Sequence, residues 1–295
     1  MTPEPSFNAQ SLSQALTLTA DPAGRLIADL HGDFSNGPVS QPPEAGFPFG
    51  GLLAALSCEA MRHGLSVRSP LRNLHVQYLS AARFGQPLIF APRLLRGGRS
   101  IAFATVEAGQ TVKGSEHRVT HHATATFGDD TPGVSVAPLT RVPPPLDSLD
   151  PRDAMRGPMA PHFAQHVEQR FDGGPNILGG NAGRPAVERL WMRCRDGAPL
   201  DTTRMAYLLD ALYPPSWTLF KRPPMMATVD LRYDFLAEPT PETAPDGWAF
   251  FEFRLLDFGG GWTVDEATAW GADGTPLALA RQRRKLAPQR PDRAP

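Results

Sequence analysis

Cysteine is scarce: Cys58 and Cys194 stand far apart, with no C-x-x-C neighbour and no histidine-rich spacing. That excludes a disulfide framework and a zinc site of ordinary spacing, and leaves two buried thiols as the expectation. Charge of either sign is not in excess, since 29 Lys and Arg face 30 Asp and Glu. No net field draws in a phosphate backbone or an anionic bilayer, so neither nucleic acid nor membrane is an expected partner. No apolar stretch approaches the roughly 18 residues of a membrane helix, and Met1–Pro5 lacks the basic start and apolar run of a signal peptide. A cytoplasmic location is expected.

Several chemical signatures are missing too. There is no G-x-S-x-G, which argues against a serine-nucleophile α/β-hydrolase. Gly179-Gly180-Asn181-Ala182-Gly183 lacks the G-x-G-x-x-G order, and Gly259-Gly260-Gly261 reads as a hairpin turn. His117, His121 and His122 share one strand, but His121 and His122 face opposite ways and form no H-E-x-x-H pattern. Neither a metal nor a cofactor is expected.

What is present is order. Gln10 to Leu30 alternates like a strand pair with a turn at Asp21-Pro22-Ala23-Gly24. From Phe49-Gly50-Gly51 to Gly64 the run is apolar on nearly every face, the pattern of a helix buried on most sides. Strand patterns follow at 74–79, 87–95, 101–108 and 117–127, closely spaced, which implies an antiparallel sheet. Proline, Asp and Arg then crowd 129–161, read as a linker. The pattern resumes with strands at 163–171 and 187–194 and an Asp196-Gly197 turn. A helix from Leu200 to Leu212 is stopped by Pro214-Pro215, and strands follow at 226–236, 248–256, 263–270 and 277–286.

The second half repeats the first. Arg93-Leu94-Leu95-Arg96-Gly97-Gly98 is echoed by Arg254-Leu255-Leu256-Asp257-Phe258-Gly259, and Gln77-Tyr78 by Arg232-Tyr233. A single apolar helix followed by an antiparallel meander buries itself best when the sheet curls around it. Two such units side by side can continue one sheet across their junction, removing an edge from each. The fold class is therefore α+β, with a first unit at 1–128, a linker at 129–161, a second unit at 162–287 and a disordered tail at 288–295. The remaining sheet edges point to a homo-oligomer.

Phe49-Gly50-Gly51-Leu52-Leu53, Leu74-His75-Val76-Gln77-Tyr78-Leu79 and Leu94-Leu95-Arg96-Gly97-Gly98-Arg99-Ser100 together resemble the first half of the double-hotdog acyl-CoA thioesterases of the type II bacterial family. In the second half, Leu208-Leu209-Asp210-Ala211-Leu212, Ala227-Thr228-Val229-Asp230 and Leu279-Ala280-Arg281-Gln282 stand where that family carries its catalytic Asp, Thr and Gln. The resemblance runs from about Gln10 to Leu286. It departs at Leu52, where the family often continues Gly-Gly-Gln, and across Pro161 to Arg189.

The resemblance implies hydrolysis of an acyl-CoA by direct attack of water, with CoA entering only as part of the substrate. Asp210 would be the base or electrostatic guide, and Thr228 and Gln282 would orient the water. Gly50 and Gly51, ahead of the first central helix, would offer backbone N–H donors to the substrate oxygen. Taken singly, each residue has a plainer reading. Asp210 can lie on a solvated helix face or cap the chain near Pro214, Thr228 can be a β-former, Gln282 a surface strand residue, and the glycines a tight turn. One rival function remains, a double-hotdog protein that binds acyl-CoA or lipid without turnover; a hydratase or dehydratase needs a His and an Asp together near the start of a central helix, and neither helix offers that pair. In the first half, Asn73 or Leu74 stands at the level of Thr228, and Ser57-Cys58 at that of Asp210, so one site per chain is expected.

Overall fold

The structure is a computed structural model, and it describes residues 10–111, 117–133, 136–151, 156–173, 175–180, 185–222 and 224–287. The N-terminal pentapeptide, Asn181-Ala182-Gly183 and the tail at 288–295 lie outside the described residues. The first half contains α1 (Leu12–Ala15), β1 (Thr19–Ala20), β2 (Leu26–Ala28), α2 (Gly50–Gly64), β3 (Leu71–Tyr78), β4 (Leu88–Gly97), β5 (Ile101–Thr111) and β6 (His117–Gly128). The second contains β7 (Val167–Phe171), β8 (Val187–Cys194), α3 (Thr202–Leu208), β9 (Met226–Phe235), β10 (Ala249–Gly259), β11 (Trp262–Trp270) and β12 (Pro276–Leu286).

Three local departures from the sequence reading have clear causes. Gln10 to Ala20 is not all strand, because Ser11 and Gln14 form a reciprocal capping box that nucleates α1. The segment at 163–171 begins as a 3-10 turn over His162–His166, entered from Pro161, and becomes strand only at Val167. Helix α3 is shorter than 200–212. Asp201 caps it by accepting from the Arg204 N–H at 2.7 Å, and Arg204 is held in turn by Asp196 and Asp201. Its last turn loosens at Leu209, so Asp210 lies just beyond the helix and not inside it.

Among the described residues the strands join one antiparallel sheet of 12, in the order β1-β2-β4-β5-β6-β3-β9-β12-β11-β10-β8-β7. The two halves meet at β3 and β9, where Asn73 faces Asp234 and Gln77 faces Asp230. Helices α2 and α3 pack against each other, and the apolar residues of α2 from Leu52 to Met61 are buried with the inward faces of the strands. This is the sheet wrapped around paired central helices that the repeated pattern implies.

β-Bulges show how the halves correspond. One falls at Arg72 in β3 and another at Val229 in β9; a second pair falls at Leu95 in β4 and Leu256 in β10. Superposing bulge on bulge makes Leu71 the counterpart of Thr228, and Ala125 that of Gln282. Ala104 then corresponds to Asp265, and Phe127 to Arg284. The match of Tyr78 with Tyr233 is thus two residues out, and Val76 occupies the place of Tyr233. A shift of two preserves the inward alternation of a strand, so hydrophobic period cannot detect it.

The proline-rich stretch at 136–151 lies on the outer face of the second half's sheet. There Trp191 donates to the Pro144 carbonyl at 3.0 Å and Trp270 to that of Leu139 at 2.6 Å. Arg141 stacks over Phe250 and Trp270 and pairs with Glu252 at 2.8 Å. Among the described residues no helix is long and apolar enough to cross a membrane.

Candidate active site

Asp210, Thr228 and Gln282 are brought together although 72 residues separate the first from the last. Gln282 points inward from β12; its Nε2 donates to Asp210 Oδ1 at 2.8 Å and to Thr228 Oγ1 at 2.6 Å. Asp210 is 8% exposed and Gln282 5%, while Thr228 is half-buried. The solvated readings of Asp210 and Gln282 are therefore excluded.

The carboxylate meets the first half at the start of α2. The Gly51 N–H donates to it, one of the donors that a helix N-terminus leaves without an intrahelical partner. Both glycines are helical and neither has a positive φ, so a tight turn does not explain them. Close approach does. A Cβ on Gly50 would lie 2.9 Å from Asp210 Oδ2 and 3.3 Å from the Tyr78 hydroxyl, and one on Gly51 would lie 2.5 Å from the Phe49 ring and 2.8 Å from the Tyr207 carbonyl. Tyr78, on β3, donates to the Gly50 carbonyl at 2.8 Å and fixes this corner.

Burial pushes the Asp210 carboxyl up to about 6 from an ordinary 3.8. The Arg284 guanidinium, the Gln282 amide and the Gly51 N–H oppose that rise, and Asp265 reinforces it. A base of that strength is largely ionised at neutral pH and still able to take a proton. Beside the trio lies a narrow cleft of about 10 Å3, room for roughly one water, lined by Leu209, Leu212, Tyr213, Leu231 and Phe253 together with Asp210, Gln282, Asp265 and Arg284.

Arg284 and Asp265 were not singled out by sequence. Both are buried and paired, and Arg284 also donates to the Gln282 carbonyl oxygen. Their signal was faint, because Arg281-Gln282-Arg283-Arg284-Lys285 reads as a solvated strand end unless alternate residues are assigned to opposite faces. The histidines go elsewhere. His121 faces inward, 3.1 Å from Ser57, and burial lowers it to about 3, while His122 faces outward against Thr105 at 2.6 Å.

Residues 37–128 match the acyl-CoA thioesterase N-terminal domain and residues 141–283 the acyl-CoA thioesterase C-terminal domain. Among solved structures, a conserved hot dog fold protein of unknown function from Alicyclobacillus acidocaldarius superposes with a TM-score of 0.77 at 23% identity, covering 95% of this chain and 98% of that one. A putative thioesterase from Novosphingobium aromaticivorans gives 0.74 at 22% identity over 92% and 98%. The acyl-CoA thioesterase II TesB2 from Mycobacterium marinum gives 0.70 at 19% identity over 95% and 99%. Comparison with curated proteins finds no match. Both domain matches fall in chain order, on the halves that the bulges relate, and the chain belongs to the double-hotdog acyl-CoA thioesterase family.

Proposed function

We propose that this chain hydrolyses an acyl-CoA thioester to a free acid and CoA, by direct attack of a water held between Asp210 and Thr228. The observation that carries this reading is the Gln282 amide, whose two hydrogens are shared between Asp210 and Thr228 inside a buried, mostly apolar cleft. Because Thr228 accepts from Gln282, its own proton is left to fix the water. Asp210 takes a proton from that water as its oxygen bonds to the thioester carbon. The C–S bond then breaks, and the proton passes from Asp210 to the departing thiolate.

The start of α2 supplies the remaining electrostatics. Its dipole and the Gly50 N–H would stabilise the carbonyl oxygen as it gains charge, the Gly51 N–H being given to Asp210. Release of free CoA from acyl-CoAs of several lengths, measured for the chain and for Asp210→Asn, tests the reading. Turnover by the chain that collapses in the variant supports it. Binding of acyl-CoA without CoA release by either would make the protein a carrier.

A further inference from the structure

The buried ion pair behind the trio has no structural necessity. Arg284 and Asp265 are 6% and 4% exposed, and taking two charges out of water carries a desolvation penalty that their attraction must first offset. The first half solves the same place in the sheet without them, setting Phe127 and Ala104 at the corresponding positions, both buried and apolar. A fold that packs well with Phe and Ala there does not require Arg and Asp for stability. Asp265 Oδ1 is also left with no hydrogen-bond partner, a further cost.

What the pair touches gives it a purpose. Arg284 donates through one nitrogen to Asp265 and through another to the Gln282 carbonyl oxygen, and the second nitrogen lies 3.8 Å from Asp210 Oδ1. A guanidinium can only donate, so the Gln282 amide must turn its oxygen toward Arg284 and its nitrogen toward Asp210 and Thr228. Every hydrogen-bonding group of that amide is then engaged, and flipping it would break three bonds at once. Asp265 keeps Arg284 from swinging forward into a direct, bidentate pair with Asp210, which would occupy the carboxylate lone pairs that a water needs.

We infer that Arg284, anchored by Asp265, is the positioning residue of the site: it fixes the donor orientation of Gln282 and sets the positive field in which Asp210 works. The inference rests on the hydrolytic reading only for its consequence in turnover. The other groups facing Asp210 are the Gly51 N–H from α2, Tyr78 from β3, Tyr233 from β9 and Tyr207 from α3, with Glu266 in the lining of the cleft. Arg284 is the one cation among these named groups. Cationic charge removed there moves the Asp210 titration up, and anionic charge removed at Asp265 moves it down.

The test uses the full chain, with the Asp210 carboxyl followed by 13C NMR across pH and CoA release followed in parallel. Arg284→Gln should raise the Asp210 titration by about one pH unit, and Asp265→Asn should lower it. Arg284→Gln should also cut turnover roughly tenfold or more with little change in KM, since the group orients the site and does not bind substrate. Arg284→Lys should keep the titration near its original position but leave turnover reduced, because an ammonium cannot fork between Asp265 and Gln282. The double variant Asp265→Ala with Arg284→Phe copies the first half, so it should fold and still lose turnover by about a hundredfold. An Asp210 titration that stays put in both single charge variants, or a double variant that turns over normally, would overturn the assignment. If the chain releases no CoA at all but the opposed titration shifts appear, the hydrolytic reading fails and the positioning role stands.

Discussion

The two halves of this chain occupy the same sheet geometry with opposite chemistry. At four corresponding positions the first half has Leu71, Ala104, Ala125 and Phe127, and the second has Thr228, Asp265, Gln282 and Arg284. The apolar set is buried and close-packed; the polar set is almost as buried but is tied together by hydrogen bonds around Asp210. One copy of a duplicated unit has kept packing and the other has kept a site. The first half still takes part, because α2 brings its N-terminus to the carboxylate of the second.

The largest effect expected from breaking this contrast is at Asp210. Asp210→Asn should lower turnover by about a thousandfold while circular dichroism shows the fold intact, whereas no substitution confined to the apolar quartet should act on chemistry without first acting on stability. Phe127→Ala is the matching test in the first half. Its ring is fully buried, and its loss should cost about 3 kcal/mol in a denaturant melt.

A third prediction separates the cost of the site from its use. Burial raises the Asp210 carboxyl to about 6, above its unfolded value of 3.8, so ionising it is harder in the folded chain. The folded state carries no such cost below the unfolded value and bears it fully once pH has risen through about 6. Asp210→Asn stays neutral throughout, so it should be more stable than the parent at pH 8 by roughly 2–3 kcal/mol, with the difference fading toward pH 4. Turnover should fall on the acid side below about pH 6. Thr228→Val gives the smallest expected effect, roughly a tenfold loss of turnover, because it removes one orienting hydroxyl while preserving a branched strand residue.

The duplication, both central helices and the principal strands were legible because burial imposes a period on sequence. Val187–Cys194 is a case in which the alternating run and the strand coincide. Asp210, Thr228 and Gln282 were legible only through a resemblance, since each alone has an ordinary explanation. Arg284 and Asp265 were hidden because a buried charge pair looks like a solvated one until the partners are seen across strands. The register between the halves was hidden as well, because a shift of two residues, which separates Tyr78 from the true counterpart of Tyr233, leaves the alternation of a strand intact. The strap at 136–151 could not be foreseen, since its carbonyls cap Trp191 and Trp270 without any period of their own.

The seam between β3 and β9 also shapes how the molecule must be made. Asn73 waits for Asp234, a partner 161 residues later in the chain, so the strand at the centre of the finished sheet has the longest wait for its second neighbour during synthesis. Until β9 emerges from the ribosome, β3 is an open edge with an apolar inner face, ready to pair with the β3 or β9 of another nascent chain. The seam that joins the two copies into one sheet is thus also a point at which two chains could exchange halves.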